Sequence, residues 1–337
     1  MNIHCGAPRF AIGLLPILLR AAFATARRRL QRGPALPSWS FALEMMVDAL
    51  RAQAQRAARL SATERRLFWE RMTPPDLVLR KVRREPALAG DAPAEWFRPR
   101  TGQRPGAVLL YFHGGSYLIG STVTHGAQIA RLALASGCAA LGLNYRLAPE
   151  HPFPAPLEDA LAAYRWLLAQ GAAPERLLLA GDSAGAGLTV ALLLTLRREG
   201  LPLPAGAALL CPWVDLSARG GTLASHERFD WATQEDFIAW ERLYLGATGL
   251  AAAQDPRASP LFGDLTGLPP LLIQVGGAEM LLDQATAFAE RARAAAVPTT
   301  LSVYPDMIHN WHLLAGLLPR CQVAIDEAGA WLRARAP

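Results

Sequence analysis

The run Gly181-Asp182-Ser183-Ala184-Gly185 places a serine among small neighbours. Four apolar residues, Leu177-Leu178-Leu179-Ala180, precede it, and a helical pattern from Gly185 to Arg198 follows it. That context suits a sharp strand-to-helix turn that lifts a hydroxyl clear of a sheet, with the helix N-terminus behind it favouring developing negative charge. A tight turn with an incidental serine would require neither flank. The chemistry this allows is nucleophilic acyl transfer. It needs three further parts: a base for the hydroxyl proton, an acid to orient the base, and N–H donors for the oxyanion.

Candidates occur in the chain order serine, acid, histidine that such a turn uses. His309 follows the apolar run Leu301 to Tyr304 and the turn Pro305-Asp306, and is the preferred base; His312, one helical step on, competes with it. His4, His125, His151 and His226 fall in the wrong segments, and His113 is expected to order its own loop. The acid should lie just beyond the strand Leu271 to Val275, where an open sheet forms its crevice. Glu279, in the loop after Gly276-Gly277, is preferred to Asp283, which can also be read as a helix-start acid. Upstream, His113-Gly114-Gly115-Ser116 follows the strand Val108 to Phe112. Glycines there let main-chain N–H groups approach a substrate oxygen with no side chain in the way.

The elements that must hold these parts follow from periodicity. From Asp76 onward, short apolar runs alternate with longer helical stretches, as in a mostly parallel sheet covered on both faces. Eight strands are predicted: Leu77 to Arg80, Ala94 to Arg98, Val108 to Phe112, Ala139 to Leu143, Leu177 to Ala180, Ala207 to Cys211, Leu271 to Val275 and Leu301 to Tyr304. Helices are expected over Gln128 to Ser136, Leu157 to Gln170, Gly185 to Arg198, Leu282 to Ala295 and Arg320 to Arg333. The fold class is therefore α/β. Residues 1–75 read as a helical cap segment, with Leu43, Met46, Val47 and Leu50 at helix spacing and a capping box at Ser61 to Glu64. Residues 76–337 read as the core. The alternation fails over 212–270, which reads as a cap insertion with one helix around Gln234 to Leu245. Trp213, Trp231 and Phe237 there are expected to be core side chains, with lining of an acyl pocket as the alternative.

Composition narrows the classes. With 337 residues, 52% hydrophobic and 18% charged, and a mean hydropathy of +0.15, the chain is a folded protein with a full core. The net charge of +6 is uneven: the first 100 positions hold 18 basic and 8 acidic residues, the remainder 16 and 20. Lys81 is the only lysine, so arginine use is a general bias, and no nucleic-acid-binding module accompanies the basic region. A solvated arginine-rich face is the simplest reading, and weak attraction to a membrane surface the alternative. Phe10 to Ala26 is too interrupted, by Pro16 and Arg20, to span a bilayer. Ala24-Thr25-Ala26 resembles a signal-peptide cleavage site, but only Arg9 precedes the apolar stretch as a fixed charge and Arg27, Arg28 and Arg29 follow the site, so an interfacial or cap helix is preferred. Cys5, Cys138, Cys211 and Cys321 lack metal or disulfide spacing and read as buried apolar residues, favouring a reducing, cytoplasmic setting. No metal and no cofactor is expected.

The glycine loop, the Ser183 motif and the run Asn144-Tyr145-Arg146-Leu147-Ala148-Pro149-Glu150-His151-Pro152-Phe153-Pro154-Ala155-Pro156 together resemble the bacterial hormone-sensitive-lipase-like esterases, over residues 105–335. The resemblance implies an α/β-hydrolase fold, hydrolysis of short to medium acyl esters, and a triad of Ser183, Glu279 and His309. The family acid is usually the aspartate of an Asp-Pro-Leu-x-Asp stretch, which aligns here with Glu279-Met280-Leu281-Leu282-Asp283; some relatives carry glutamate. By the same resemblance the oxyanion donors come from Gly114, Gly115 or Ser116, together with Ala184. Ser116 stands where the family has a third glycine. A small-molecule ester is the expected partner, and a homodimer is compatible with the family. Two other classes stay open: a ligand receptor on the same scaffold, and a hydrolase or acyl transferase acting on lactones, arylacetamides or other acyl compounds.

Overall fold

The computed structural model describes residues 7–336; His4 and Cys5 lie outside the described residues. Its centre is one eight-stranded sheet in the order β1-β2-β4-β3-β5-β6-β7-β8. The strands are β1 (Val82–Ala89), β2 (Ala92–Pro99), β3 (Val108–Phe112), β4 (Ala139–Leu143), β5 (Leu177–Asp182), β6 (Gly206–Leu210), β7 (Leu271–Gly276) and β8 (Thr299–Tyr304). β1 and β2 are antiparallel, as are β2 and β4, and all other pairings are parallel. Strands β3 to β7 are almost wholly buried because helices cover both faces, so they read as apolar runs without alternation.

Helices α4 (Thr122–Ser136), α5 (Ala155–Ala169), α6 (Ala184–Arg198), α9 (Leu282–Ala294) and α10 (Pro319–Arg333) flank the sheet. The cap insertion holds α7 (Gly221–Ser225) and α8 (Gln234–Leu245) and contributes no strand.

One predicted strand is wrong. Leu77–Lys81 forms a 3-10 turn, begun by Asp76, whose carboxylate accepts the Val78 N–H at 2.9 Å. The first strand lies beyond it, at Val82–Ala89, and is an edge strand. Its outer face is exposed and it contains Pro86, which an edge tolerates, so it carries no apolar run to find.

The N-terminal segment forms α1 (Ala7–Arg32), α2 (Phe41–Ala57) and α3 (Ala62–Met72). The capping box is present, with Ser61 and Glu64 each holding the other's backbone N–H. Arg28 and Arg29 of α1 pair with Glu44 of α2 at 2.7 and 3.3 Å, placing two cations against a carboxylate that is 1% exposed. The opposite side of α1 shows Leu15, Leu19, Phe23 and Leu30 to solvent. No helix among the described residues is long and apolar enough to cross a membrane. Cys138, Cys211 and Cys321 are free and buried.

Candidate active site

β5 delivers Ser183 into a turn that only certain neighbours permit. Ser183 adopts φ 53° and ψ −121°, a backbone region unfavourable for a side-chain-bearing residue. A Cβ on Gly181 would stand 2.3 Å from the Gly185 carbonyl oxygen, and one on Gly185 would stand 2.1 Å from the Phe112 carbonyl oxygen. The two glycines therefore let the elbow close on itself and pack against the end of β3. Ser183 is 4% exposed, at the floor of a cleft.

His309 reaches this hydroxyl from the loop after β8, with Nε2 2.9 Å from Ser183 Oγ. Its Nδ1 lies 3.2 Å from Glu279 Oε1, and the other oxygen of Glu279 accepts the Gly276 N–H at 2.7 Å. Burial works against a positive imidazole, but the hydrogen bond and charge of Glu279, followed by the charges of Asp230 and Asp182, outweigh it, and the His309 pKa is raised. The structure thus brings Ser183, His309 and Glu279 together. It does not bring in the competitors. Asp283 is exposed and accepts the Thr222 N–H at 2.7 Å, tying α9 to α7. His312 sits 3.0 Å from Gln274 Oε1, and burial pushes its pKa down to about 3.

The glycine loop after β3 faces the elbow. The N–H of Gly114, one of the predicted donors, is engaged by Asp182 Oδ1 at 2.9 Å. The N–H groups of Gly115, Ser116 and Ala184 have no protein acceptor among the described residues. A Cβ on Gly115 would meet the Ile119 carbonyl oxygen at 2.3 Å, so glycine is required there for the tight loop as well as for access. His113 is stacked on Tyr145 with centroids 4.3 Å apart, and its Nδ1 lies 2.7 Å from the Gly114 carbonyl oxygen. Burial, then the neighbouring His125, lowers its pKa to about 3, which leaves it a neutral loop-ordering group.

Asp182, inside the serine motif, was not singled out by its sequence. Its buried carboxylate accepts from Tyr111 Oη–H, Gly114 N–H and Asn310 Nδ2–H, and lies 3.3 Å from His125 Nε2. Burial opposes its charge, but His125 and these donors hold its pKa at about 2. One carboxylate therefore joins the glycine loop to the residue after His309. Asp230 and Trp231 of the cap insertion were also missed as site residues of this kind. Asp230 faces the His309 N–H, and Trp231 Nε1–H donates to the His309 carbonyl at 3.1 Å. No motif marks Asp230, whose other long-range partner is 50 positions away.

The cleft is walled by Ala54 and Ala57 of α2, Trp69 of α3, and Trp231 and Trp240 of the cap insertion. Of the three aromatics weighed from the sequence, Trp231 lines the cleft, while Trp213 and Phe237 are buried and pack edge to face. Among the described residues, Cys211, Glu279 and His309 alone cluster as potential metal ligands. Both ring nitrogens of His309 already face Glu279 and Ser183, and burial, followed by the charge of Glu279, raises the Cys211 thiol's pKa well above its ordinary value. These donors suit hydrogen bonding rather than a cation.

The sheet and the serine elbow define an α/β-hydrolase, and a family model described as alpha/beta hydrolase fold matches residues 109–313. The chain is 48% identical over 247 residues to an acetyl-hydrolase of Streptomyces hygroscopicus, a match covering 72% of this chain and 80% of that protein. It is 36% identical over 221 residues to an esterase of Acinetobacter venetianus, covering 65% and 72% respectively. The crystal structure of an esterase from the bacterial hormone-sensitive lipase family superposes with a TM-score of 0.80 at 44% identity, over 86% of this chain and 98% of that one. The chain belongs to the hormone-sensitive-lipase family of bacterial esterases, which are carboxylic ester hydrolases.

Proposed function

We propose that the chain hydrolyses short to medium acyl esters through an acyl-enzyme on Ser183, with His309 as base and Glu279 as the acid that orients it. The observation that carries this reading is the continuous hydrogen-bonded line from Ser183 Oγ to His309 Nε2 at 2.9 Å and from His309 Nδ1 to Glu279 at 3.2 Å. As Ser183 Oγ bonds to the ester carbonyl carbon, its proton passes to His309 Nε2. The carbonyl oxygen takes the negative charge and meets the N–H groups of Gly115, Ser116 and Ala184. His309 then returns the proton to the departing alcohol as the C–O bond breaks. Water, deprotonated by the same nitrogen, attacks the acyl-enzyme and releases the acid.

Apolar walls at Ala54, Ala57, Trp69, Trp231 and Trp240 support an acyl chain as the bound group. The acetyl-hydrolase name of the Streptomyces relative supports its short end. Contact between α1 and an anionic membrane surface belongs to the same reading. Ser183→Ala should fold normally and lose on the order of a million-fold in kcat on p-nitrophenyl esters. A panel from acetyl to hexadecanoyl should show the highest kcat/KM at the short end. A folded Ser183→Ala protein with near-normal turnover would overturn the mechanism, and a maximum at the longest chains would overturn the substrate range.

A further inference from the structure

Asp230 lies in the loop between α7 and α8, fully buried. Its Oδ1 accepts the Trp231 N–H at 2.8 Å, its Oδ2 accepts the Met280 N–H at 3.1 Å, and both oxygens lie 3.3 Å from the His309 N–H. The first contact is local and would occur in an ordinary turn. The other two cross 50 and 79 positions of sequence and end on the residue after Glu279 and on His309 itself. No cation is paired with this carboxylate among the described residues. Arg51 of α2 approaches the loop, but its guanidinium donates to the main-chain carbonyls of Asp230, Glu227 and Arg228.

We infer that Asp230 is a positioning residue for the proposed triad: one carboxylate of the cap insertion fixes the backbones of Glu279 and His309 relative to each other and adds a second fixed negative charge beside the imidazole. The inference rests on the triad reading. A carboxylate suits the task because all of its long-range partners are N–H donors. An amide would turn an NH2 toward one of them and leave two donors face to face. Burying an ion with no counter-ion is costly, and the position gives a reason for it: the imidazolium formed when Ser183 loses its proton is the compensating charge.

The groups facing His309 are Glu279 from the loop after β7, Asp230 from the cap insertion, Asp182 from the end of β5, Cys211 after β6, and His312 from the following turn. Asp230 itself is raised to about 6, chiefly by burial, with His309 opposing the rise and Glu279 adding to it. Its charge is therefore present through neutral pH and fades on the acid side. Removing it should lower the proton affinity of His309. The acid limb of kcat/KM, which reports that proton on the free enzyme, should then move to lower pH.

The test is a pH profile of p-nitrophenyl butyrate hydrolysis for the full chain and three variants, each checked for folding by circular dichroism. Asp230→Asn should lower kcat on the order of ten-fold with KM within about two-fold, and shift the acid limb down by roughly half a unit. Asp230→Glu keeps the charge but misplaces it, so kcat should fall while the limb stays. This second variant keeps the inference open to refutation should the asparagine protein not fold. Arg51→Ala loosens the same loop without touching the carboxylate and should lower the melting temperature with the limb unmoved. A folded Asp230→Asn enzyme with unchanged kcat and acid limb, or an Asp230→Glu enzyme of full activity, would reduce Asp230 to a loop cap. Neither result would disturb the triad, which stands or falls separately on Ser183→Ala.

Discussion

The two sides of the cleft are built by different means. On the serine side, main chain packs on main chain: Gly181, Gly185 and Gly115 each stand where a Cβ would approach a backbone carbonyl oxygen to 2.3 Å or less. On the histidine side, the loops after β7 and β8 are held largely by side chains from distant segments. Trp39, between α1 and α2, donates its Nε1–H to the Asp306 carbonyl at 2.6 Å, and Ser38 donates to the Asp306 carboxylate at 2.5 Å. Asp230 and Trp231 hold the backbone N–H and the carbonyl of His309, respectively, from the cap insertion. The geometry at Ser183 is thus set by glycines that let main chain meet main chain, whereas that at His309 depends on side chains from three segments folding onto one another. The N-terminal segment accordingly does more than cover the crevice: Trp39 is 3% exposed within a cluster that includes Met307, Ile308 and Trp311.

A pair of substitutions should expose this contrast most strongly. Gly185→Ala puts a methyl 2.1 Å from a carbonyl oxygen that lies in the sheet's own backbone, so no rotamer relieves it. The expected outcome is little or no soluble protein. Trp39→Ala removes a large buried ring at the edge of the fold and should cost about 3 to 5 kcal/mol. The protein should remain folded, with kcat reduced through disorder of the His309 loop and the serine still open to a fluorophosphonate probe at a slowed rate. Expression yield, thermal melts and probe labelling read both results. A Trp39→Ala enzyme with unchanged kcat would show that the cap insertion holds the histidine side without the N-terminal strap.

Glu279 offers the next largest effect. Glu279→Gln keeps shape but removes the charge facing His309, and kcat should fall on the order of a thousand-fold or more. Asp283→Asn only weakens the bond to the Thr222 N–H, which is worth about 1 kcal/mol of stability, and should leave turnover nearly intact. The reverse ranking would move the acid four residues along the chain and undo the histidine-side geometry described above.

This contrast also decides how much could be read in the sequence. The strands Val108–Phe112 and Ala139–Leu143 have the bounds expected from their apolar runs, because burial on both faces leaves a continuous pattern. Ser183 and the glycine loop are legible for the steric reason given: close backbone approach requires glycines at fixed spacing. At Gly114 the same motif that frees a backbone N–H also lets Asp182 bind one, and spacing cannot tell the two apart. The edge strand Val82–Ala89 and the carboxylate of Asp230 were illegible. The first is half exposed and polar, and the second gains its role only from partners far along the chain.

The smallest effect concerns the outermost layer, where the N-terminal segment meets solvent. Leu15, Leu19, Phe23 and Leu30 of α1 are 57%, 61%, 72% and 89% exposed, and a period of 3.6 puts them within one arc of the helix. Arg20 and Arg27 lie beside that arc and form no ion pair among the described residues, while no acidic residue precedes Glu44 in the chain. An apolar stripe with one basic flank matches an anionic bilayer surface, at about 1 kcal/mol per arginine near the surface. A second copy of the same face would set arginine against arginine. Sedimentation with vesicles should therefore show weak binding to phosphatidylcholine containing phosphatidylglycerol, lost at high salt, and little binding to phosphatidylcholine alone. Phe23→Ser and Arg27→Ala should each weaken it with no change in hydrolysis of a water-soluble ester, since neither side chain lines the cleft. Equal binding to both vesicles, or none, would leave α1 as a brace for α2 with a solvated outer face.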